Sequence, residues 1–211
     1  MEERFIRVRR TARYHVLGDP SHAKSLWIVL HGYGHLARYF LNKFEGLAKD
    51  ALIVAPEGLN RFYLDEQHQR VGATWMTRED REHEIQDQVA YLDDLVDELR
   101  RTVGELPLNV LGFSQGVATA CRWSLMGRSV ISRMVLWSGS LPPEPGAALL
   151  AGRWRDLRID VVLGTQDPYA GEEAFQTQCN RLIAAGLSFR THRFDGGHVL
   201  EPVLLGRLLQ L

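Results

Sequence analysis

The sequence predicts an α/β fold on a largely parallel sheet, and three observations carry that expectation. Short apolar runs recur along the chain and end in turn residues; helical periodicities lie between them; the two alternate from residue 26 onward. At 211 residues the chain is about the size of one domain and long enough to bury roughly two-thirds of its unfolded surface. Residues 1–211 are therefore expected to form a single domain.

The elements follow in order. The stretch "RFIRVRRTARYHV" alternates Phe5, Ile6, Val8, Tyr14 and Val16 with charges, which predicts one or two strands with a wet face. The runs "SLWIVLHGYG", "ALIVAPEG", "LNVLGFSQG" and "RMVLWSGS" come next, then "IDVVLGTQD" and the weaker "SFRTHRFDGG". Continuous β-branched runs of this kind mark strands covered on both faces. Ile85, Val89, Leu92, Val96, Leu99 and Val103 recur every three or four residues, which puts one apolar stripe on a helix. Its other face carries Asp87, Asp93, Asp94, Asp97 and Glu98 and reads as solvated surface. Further helices are expected at about 115–127, 171–185 and 199–210.

Composition narrows the function classes. With 25 Lys and Arg against 26 Asp and Glu, nothing resembles a nucleic-acid footprint or a polybasic membrane patch. The expected partner is a small molecule, and a homodimer is left open. No apolar run reaches the ~18 residues that cross a bilayer. The start "MEERFIRVRR" puts charges where a secretory peptide needs an apolar centre. A cytoplasmic protein without stable membrane insertion is expected. Cys121 and Cys179 lie far apart with no CxxC pattern, so both read as reduced thiols packed as small hydrophobes.

The chemistry gathers at strand ends. In "NVLGFSQGVATACRW" an apolar run ends at Gly112-Phe113-Ser114-Gln115-Gly116 and passes at once into a helical pattern. A serine there sits on a sharp turn, and neighbouring chain can pass closely only where residues two before and two after lack a Cβ. The competing reading is a serine N-cap flanked by flexible glycines. A serine nucleophile needs a histidine to take its proton and a carboxylate to orient that histidine. Two histidines follow Ser114. His192 lies inside an alternating strand, whereas His198 follows a strand's exit after two glycines and is the candidate base. Asp167, after an apolar strand and before Pro168, is the candidate acid. Asp160 begins the same strand at the wrong edge, Asp156 lies earlier, and Asp195 sits on the same short loop as His198, poorly placed to face its ring. The glycines of "VLHGYGH" let backbone N–H groups turn toward the site, which makes Tyr33 and Gln115 the candidate oxyanion donors; Gln115 also opens a helix, whose dipole favours an anion. A metal pair of His31 and His35 at i,i+4 is excluded because Gly32 and Gly34 would break the helix it requires.

The motifs "LHGYG", "GFSQGVA", "WSGSLP", "GTQDP" and "GGH", in that order over residues 26–200, resemble the α/β-hydrolase superfamily. More narrowly they resemble its phospholipase/carboxylesterase group, which includes acyl-protein thioesterases and small serine esterases. The resemblance implies Ser114 as nucleophile, Asp167 as acid, His198 as base, and Tyr33 with Gln115 as oxyanion donors. It also implies an α/β-hydrolase fold with a mostly parallel central sheet flanked by helices. Two departures stand out: His35 occupies a place after the oxyanion loop that is often acidic in the group, and "TWMTRED" keeps only Trp75 of the usual Trp-Phe-Asp stretch.

The expected activity is hydrolysis of carboxylic esters with small or medium acyl chains, needing no metal or organic cofactor. Thioester or lysophospholipid hydrolysis by the same triad is the alternative within enzymes, and a catalytically silent small-molecule receptor is the rival outside them. Tyr33, Phe62, Tyr63, Trp75, Met76 and Leu141 are candidates to line an acyl site. About 20 residues between Gly139 and Ile159, rich in proline, leave room for a short helix and none for a cap domain.

Overall fold

The computed structural model describes residues 1–210. Seven strands form one sheet: β1 (Tyr14–Leu17), β2 (Ser25–Leu30), β3 (Ala51–Pro56), β6 (Leu108–Phe113), β7 (Arg133–Trp137), β8 (Arg158–Gly164) and β9 (Phe189–Phe194). Their order is β1-β3-β2-β6-β7-β8-β9, and every pairing is parallel except that of β1 with β3. Two further strands, β4 (Asn60–Tyr63) and β5 (Val71–Thr74), make a separate antiparallel hairpin.

Helices cover both faces, which is why the central strands read as unbroken apolar runs. Within β2, Leu26, Ile28 and Leu30 join a core under α2 (Arg81–Val103), α3 (Gln115–Met126), α4 (Ala147–Arg153) and α5 (Glu172–Ala184). Trp27 and Val29 of the same strand point the other way, to a core under α1 (Ala37–Leu41) and α6 (Pro202–Leu209). The predicted stripe on α2 is buried at Ile85, Val89, Leu92, Val96 and Leu99. Asp93 departs from the predicted acidic surface: it is buried and accepts hydrogen bonds from Trp123 Nε1 at 2.8 Å and the Arg128 N–H at 2.9 Å.

Three expectations are refined. The N-terminal alternation yields one strand of four residues, because its partner β3 ends at Pro56 and leaves no ladder for residues before Arg13. The segment from Asn60 to Thr74, in which no strand was expected, forms the β4–β5 hairpin. The connection from β7 to β8 holds only the seven-residue α4 and no cap. Cys121 and Cys179 are buried free thiols, and burial pushes the Cys121 thiol up to about 12.

At the amino edge of the sheet, Asp160 on β8 is fully buried. Arg133 Nε and Nη2 approach its Oδ2 at 2.9 and 2.7 Å, Arg190 Nε its Oδ1 at 2.9 Å, and His192 Nε2 the same oxygen at 2.9 Å. Burial opposes the charge, but His192 and the two guanidinium groups outweigh it and hold the carboxyl below its usual range. Asp160→Ala strands the buried Arg133 guanidinium without its anion. It should lower stability by about 3–5 kcal/mol, read as a shift of the urea midpoint.

Candidate active site

The carboxyl ends of β2, β6 and β8 meet at one rim. Ser114 follows β6 with φ 55° and ψ −116°, a left-handed backbone that costs a non-glycine residue of order 1–3 kcal/mol. Neighbouring chain enforces it. A Cβ on Gly116 would lie 2.2 Å from the Leu30 carbonyl oxygen, and one on Gly112 would lie 2.5 Å from the Gly116 oxygen. The Ser114 N–H donates to Trp137 O at 2.9 Å, so the turn is fastened to β7 as well. The N-cap reading is not what the side chain does, since Ser114 makes no side-chain cap bond to α3.

Asp167 and His198 are joined directly. His198 Nδ1 lies 2.8 Å from Asp167 Oδ2 and 3.0 Å from Oδ1. The N–H groups of Tyr169 and Ala170 donate to Oδ1 at 2.9 and 3.0 Å. Burial raises the cost of the Asp167 charge; the Ala170 N–H, His198 and the Tyr169 N–H outweigh it, so its carboxyl stays below the usual range. The two loops fit because Gly164 carries no Cβ: one would sit 2.4 Å from the Gly196 oxygen and 2.5 Å from the Gly197 oxygen. Trp137 Nε1 donates to Val199 O at 2.9 Å and anchors the residue after His198. The rejected alternatives lie elsewhere. His192 pairs with Asp160, and Asp195 is exposed and accepts from Gln166 Nε2 at 2.7 Å.

Phe113 links these parts. Its ring lies 4.8 Å from the His198 ring and 5.8 Å, stacked, from that of His35. Nothing in the sequence marked Phe113, because the position before the serine in G-x-S-x-G is open to any residue.

The Gly32–His35 loop approaches Ser114 so closely that a Cβ on Gly32 would stand 3.1 Å from the Ser114 Cβ. The backbone N–H groups of Tyr33 and Gln115 make no hydrogen bond among the described residues. The loop is bound to β5: the Gly34 N–H donates to Ala73 O at 2.9 Å, and the Ala73 N–H donates to His35 O at 3.2 Å. Gln115 fastens the elbow to the same segment, with its Oε1 accepting from the Trp75 N–H at 3.2 Å and its Nε2 donating to Met76 O at 3.1 Å.

Of the candidate acyl-lining residues, the structure brings Tyr33 and Phe62 together at 4.9 Å between ring centroids. Tyr63 packs on His68, Trp75 and Leu141 are buried in the core, and Met76 Sδ lies 3.3 Å from Arg122 Nη1. Trp75 belongs to the scaffold, because its Nε1 donates to His31 O at 2.8 Å and its ring lies 4.9 Å from the His31 ring.

His31, which the sequence brought forward only as a metal ligand, is a fully buried hub. Its Nε2 accepts from the Gly58 N–H at 3.0 Å, so Nδ1 carries the proton and donates to Gly32 O at 2.8 Å. The bond accepted by Nε2 requires the neutral ring, and burial outweighs the Gly32 bond to push the pKa down to about 4.

The sheet order, the strained serine turn and the Asp–His pair at the carboxyl rim define an α/β-hydrolase fold. Solved structures agree. The chain is similar to acyl-protein thioesterase 2 of Zea mays, at TM-score 0.74 and 19% identity over 95% of this chain and 97% of that one. It is similar to a carboxylesterase of Mesorhizobium loti, at TM-score 0.73 and 18% identity over 94% of each chain. Esterase PE8 superposes at TM-score 0.69 and 21% identity, covering 95% of this chain and 99% of its own. No protein-family model and no curated protein matches the sequence.

His31 gives a pH prediction. Its folded pKa lies below the unfolded one, so the unfolded chain binds the extra proton and stability falls as pH drops from 6.5 toward about 4. The full loss is about 3 kcal/mol. Urea midpoints measured across that window should fall with pH in the native protein and fall less in His31→Gln, which has no proton to take up.

Proposed function

We propose that the protein is a serine hydrolase that cleaves carboxylic esters through an acyl-serine intermediate. The observation that carries this reading is the strained Ser114 at the end of β6, next in the chain to Phe113, whose ring packs at 4.8 Å on a His198 whose Nδ1 is held by the buried Asp167 carboxylate. Esterases among the similar structures support it.

In this reading Ser114 Oγ attacks the ester carbonyl as its proton passes to His198 Nε2. Asp167 fixes the tautomer with the proton on Nδ1 and stabilises the imidazolium. The carbonyl oxygen, now an anion, is met by the Tyr33 and Gln115 N–H groups. The C–O bond to the leaving alcohol then breaks, and His198 returns the proton to that oxygen. Water repeats the sequence on the acyl-serine, with His198 taking its proton, and frees the acid and Ser114. Thioester hydrolysis is the second reading, favoured by the similarity to a thioesterase, since the same groups act on either leaving atom.

Ser114→Ala should fold as the native chain does and lose ester hydrolysis by a factor of roughly 10³ or more. A fluorophosphonate should label the native protein at Ser114 and leave this variant unmodified, as read by intact-mass measurement. Wild-type turnover by the variant overturns the assignment.

Asp167→Asn should keep the fold and lower kcat by orders of magnitude, because an amide presents the wrong partner to Nδ1–H. Asp195→Asn, which alters an exposed contact with Gln166, should keep most activity. The opposite ranking in steady-state assays moves the acid to Asp195.

A further inference from the structure

A cleft of about 600 Å³ opens between the Gly34–Leu36 loop, α1 and the tip of the β4–β5 hairpin. Gly34, His35, Tyr39, Lys43, Leu64 and Arg70 are among the residues that line it. Its charged lining is of one sign. Lys43 and Arg70 are exposed and make no ion pair among the described residues, and no carboxylate lines the walls. Of the two acids on the hairpin, Asp65 and Glu66, neither lines the cleft, and Asp65 is engaged within its own turn by the N–H groups of Gln69 at 2.9 Å and Arg70 at 2.7 Å. His35 adds a neutral polar edge, since burial, Lys43 and His198 all push its pKa down.

The position of the cleft indicates which half of a substrate enters it. His35 forms part of its wall, and its ring and the His198 ring both pack on Phe113, which sets the cleft next to the His198 side of the site. In acyl transfer the base that returns a proton must touch the leaving oxygen, so whatever that oxygen carries extends along the His198 side of the site. Two unpaired cations without an acid there attract an anionic group and leave a neutral one without a partner.

We propose that this cleft receives the leaving alcohol and that the natural alcohol carries an oxyanion, bound by Lys43 and Arg70. The proposal rests on the serine-hydrolase reading above and deepens it from an ester in general to an ester of an anionic alcohol.

Two butyrate esters test it, one of 3-hydroxybenzoate and one of 3-hydroxybenzamide, alike in acyl chain and shape and different in one negative charge. Their rates are normalised to hydroxide-catalysed hydrolysis. At low ionic strength kcat/KM should favour the carboxylate ester by about tenfold. The preference should shrink as added salt shortens the screening length, and it should vanish in the double variant Lys43→Gln/Arg70→Gln. Both side chains are exposed and outside the reacting groups, so the preference should be lost through a slower carboxylate ester, read as the ratio of the two esters within each variant. Equal rates on the two esters, or a preference that survives the double variant, overturn the proposal while the hydrolase reading stands. Failure to cleave either ester, with Ser114 unlabelled by fluorophosphonate, removes the hydrolase reading and the proposal together.

Discussion

The structure depends on a backbone contact with no side chain in it: α3 enters the sheet so close to β2 that Gly116 rests on the carbonyls of Leu30 and His31. A methyl group at that point would overlap the Leu30 oxygen, so the approach is open to glycine alone. From this contact follows the sharp turn at Ser114, with its left-handed φ, and the closeness of the Gly32 loop to the serine. The strain in Ser114 persists because strands on both sides of β6 are already covered by helices and cannot give way.

A second layer of order comes from groups that never touch a substrate. His31 joins three pieces of chain through one ring and its carbonyl: the Gly32 loop, the Gly58 turn and Trp75. Gln115 then ties the elbow to Trp75 and Met76. The hairpin therefore acts as a brace for the loop that presents the Tyr33 N–H. Its fit is set by Gly72, where a Cβ would lie 2.6 Å from the Gly34 oxygen. The same hairpin supplies Arg70 to the cationic cleft, so one small element serves both geometry and charge.

Strands buried on both faces write themselves into the sequence as apolar runs, and the striped α2 does the same at helical spacing; those elements were legible. The five-residue α1 and the β4–β5 hairpin were not, because their stability comes from contacts far along the chain rather than from a local period. The serine turn, Asp167 and His198 stood out because each needs particular neighbours in sequence: two spaced glycines, a strand before a proline, a glycine pair after a strand. Trp75 illustrates the limit. Its size and position suggested an acyl wall, but its indole N–H is committed to the His31 carbonyl and its ring to the core. Phe113, which touches both His35 and His198, gave no sign at all, since only three-dimensional packing makes it a wedge.

The parts of the site are spread along nearly the whole chain, and this has a consequence for biosynthesis. A growing chain that has emerged only as far as α3 already contains Ser114 and both flanking glycines. It still lacks Trp137, whose carbonyl receives the Ser114 N–H, and it lacks the Asp167–His198 pair. The serine of a nascent polypeptide is thus an ordinary alcohol through most of translation. Under the chemistry proposed above it becomes a nucleophile only after β9 has joined the sheet and the Val199 carbonyl has found the Trp137 indole. On that proposal, completion of the fold and the onset of reactivity are one event, and an unfinished or truncated copy would leave esters uncleaved.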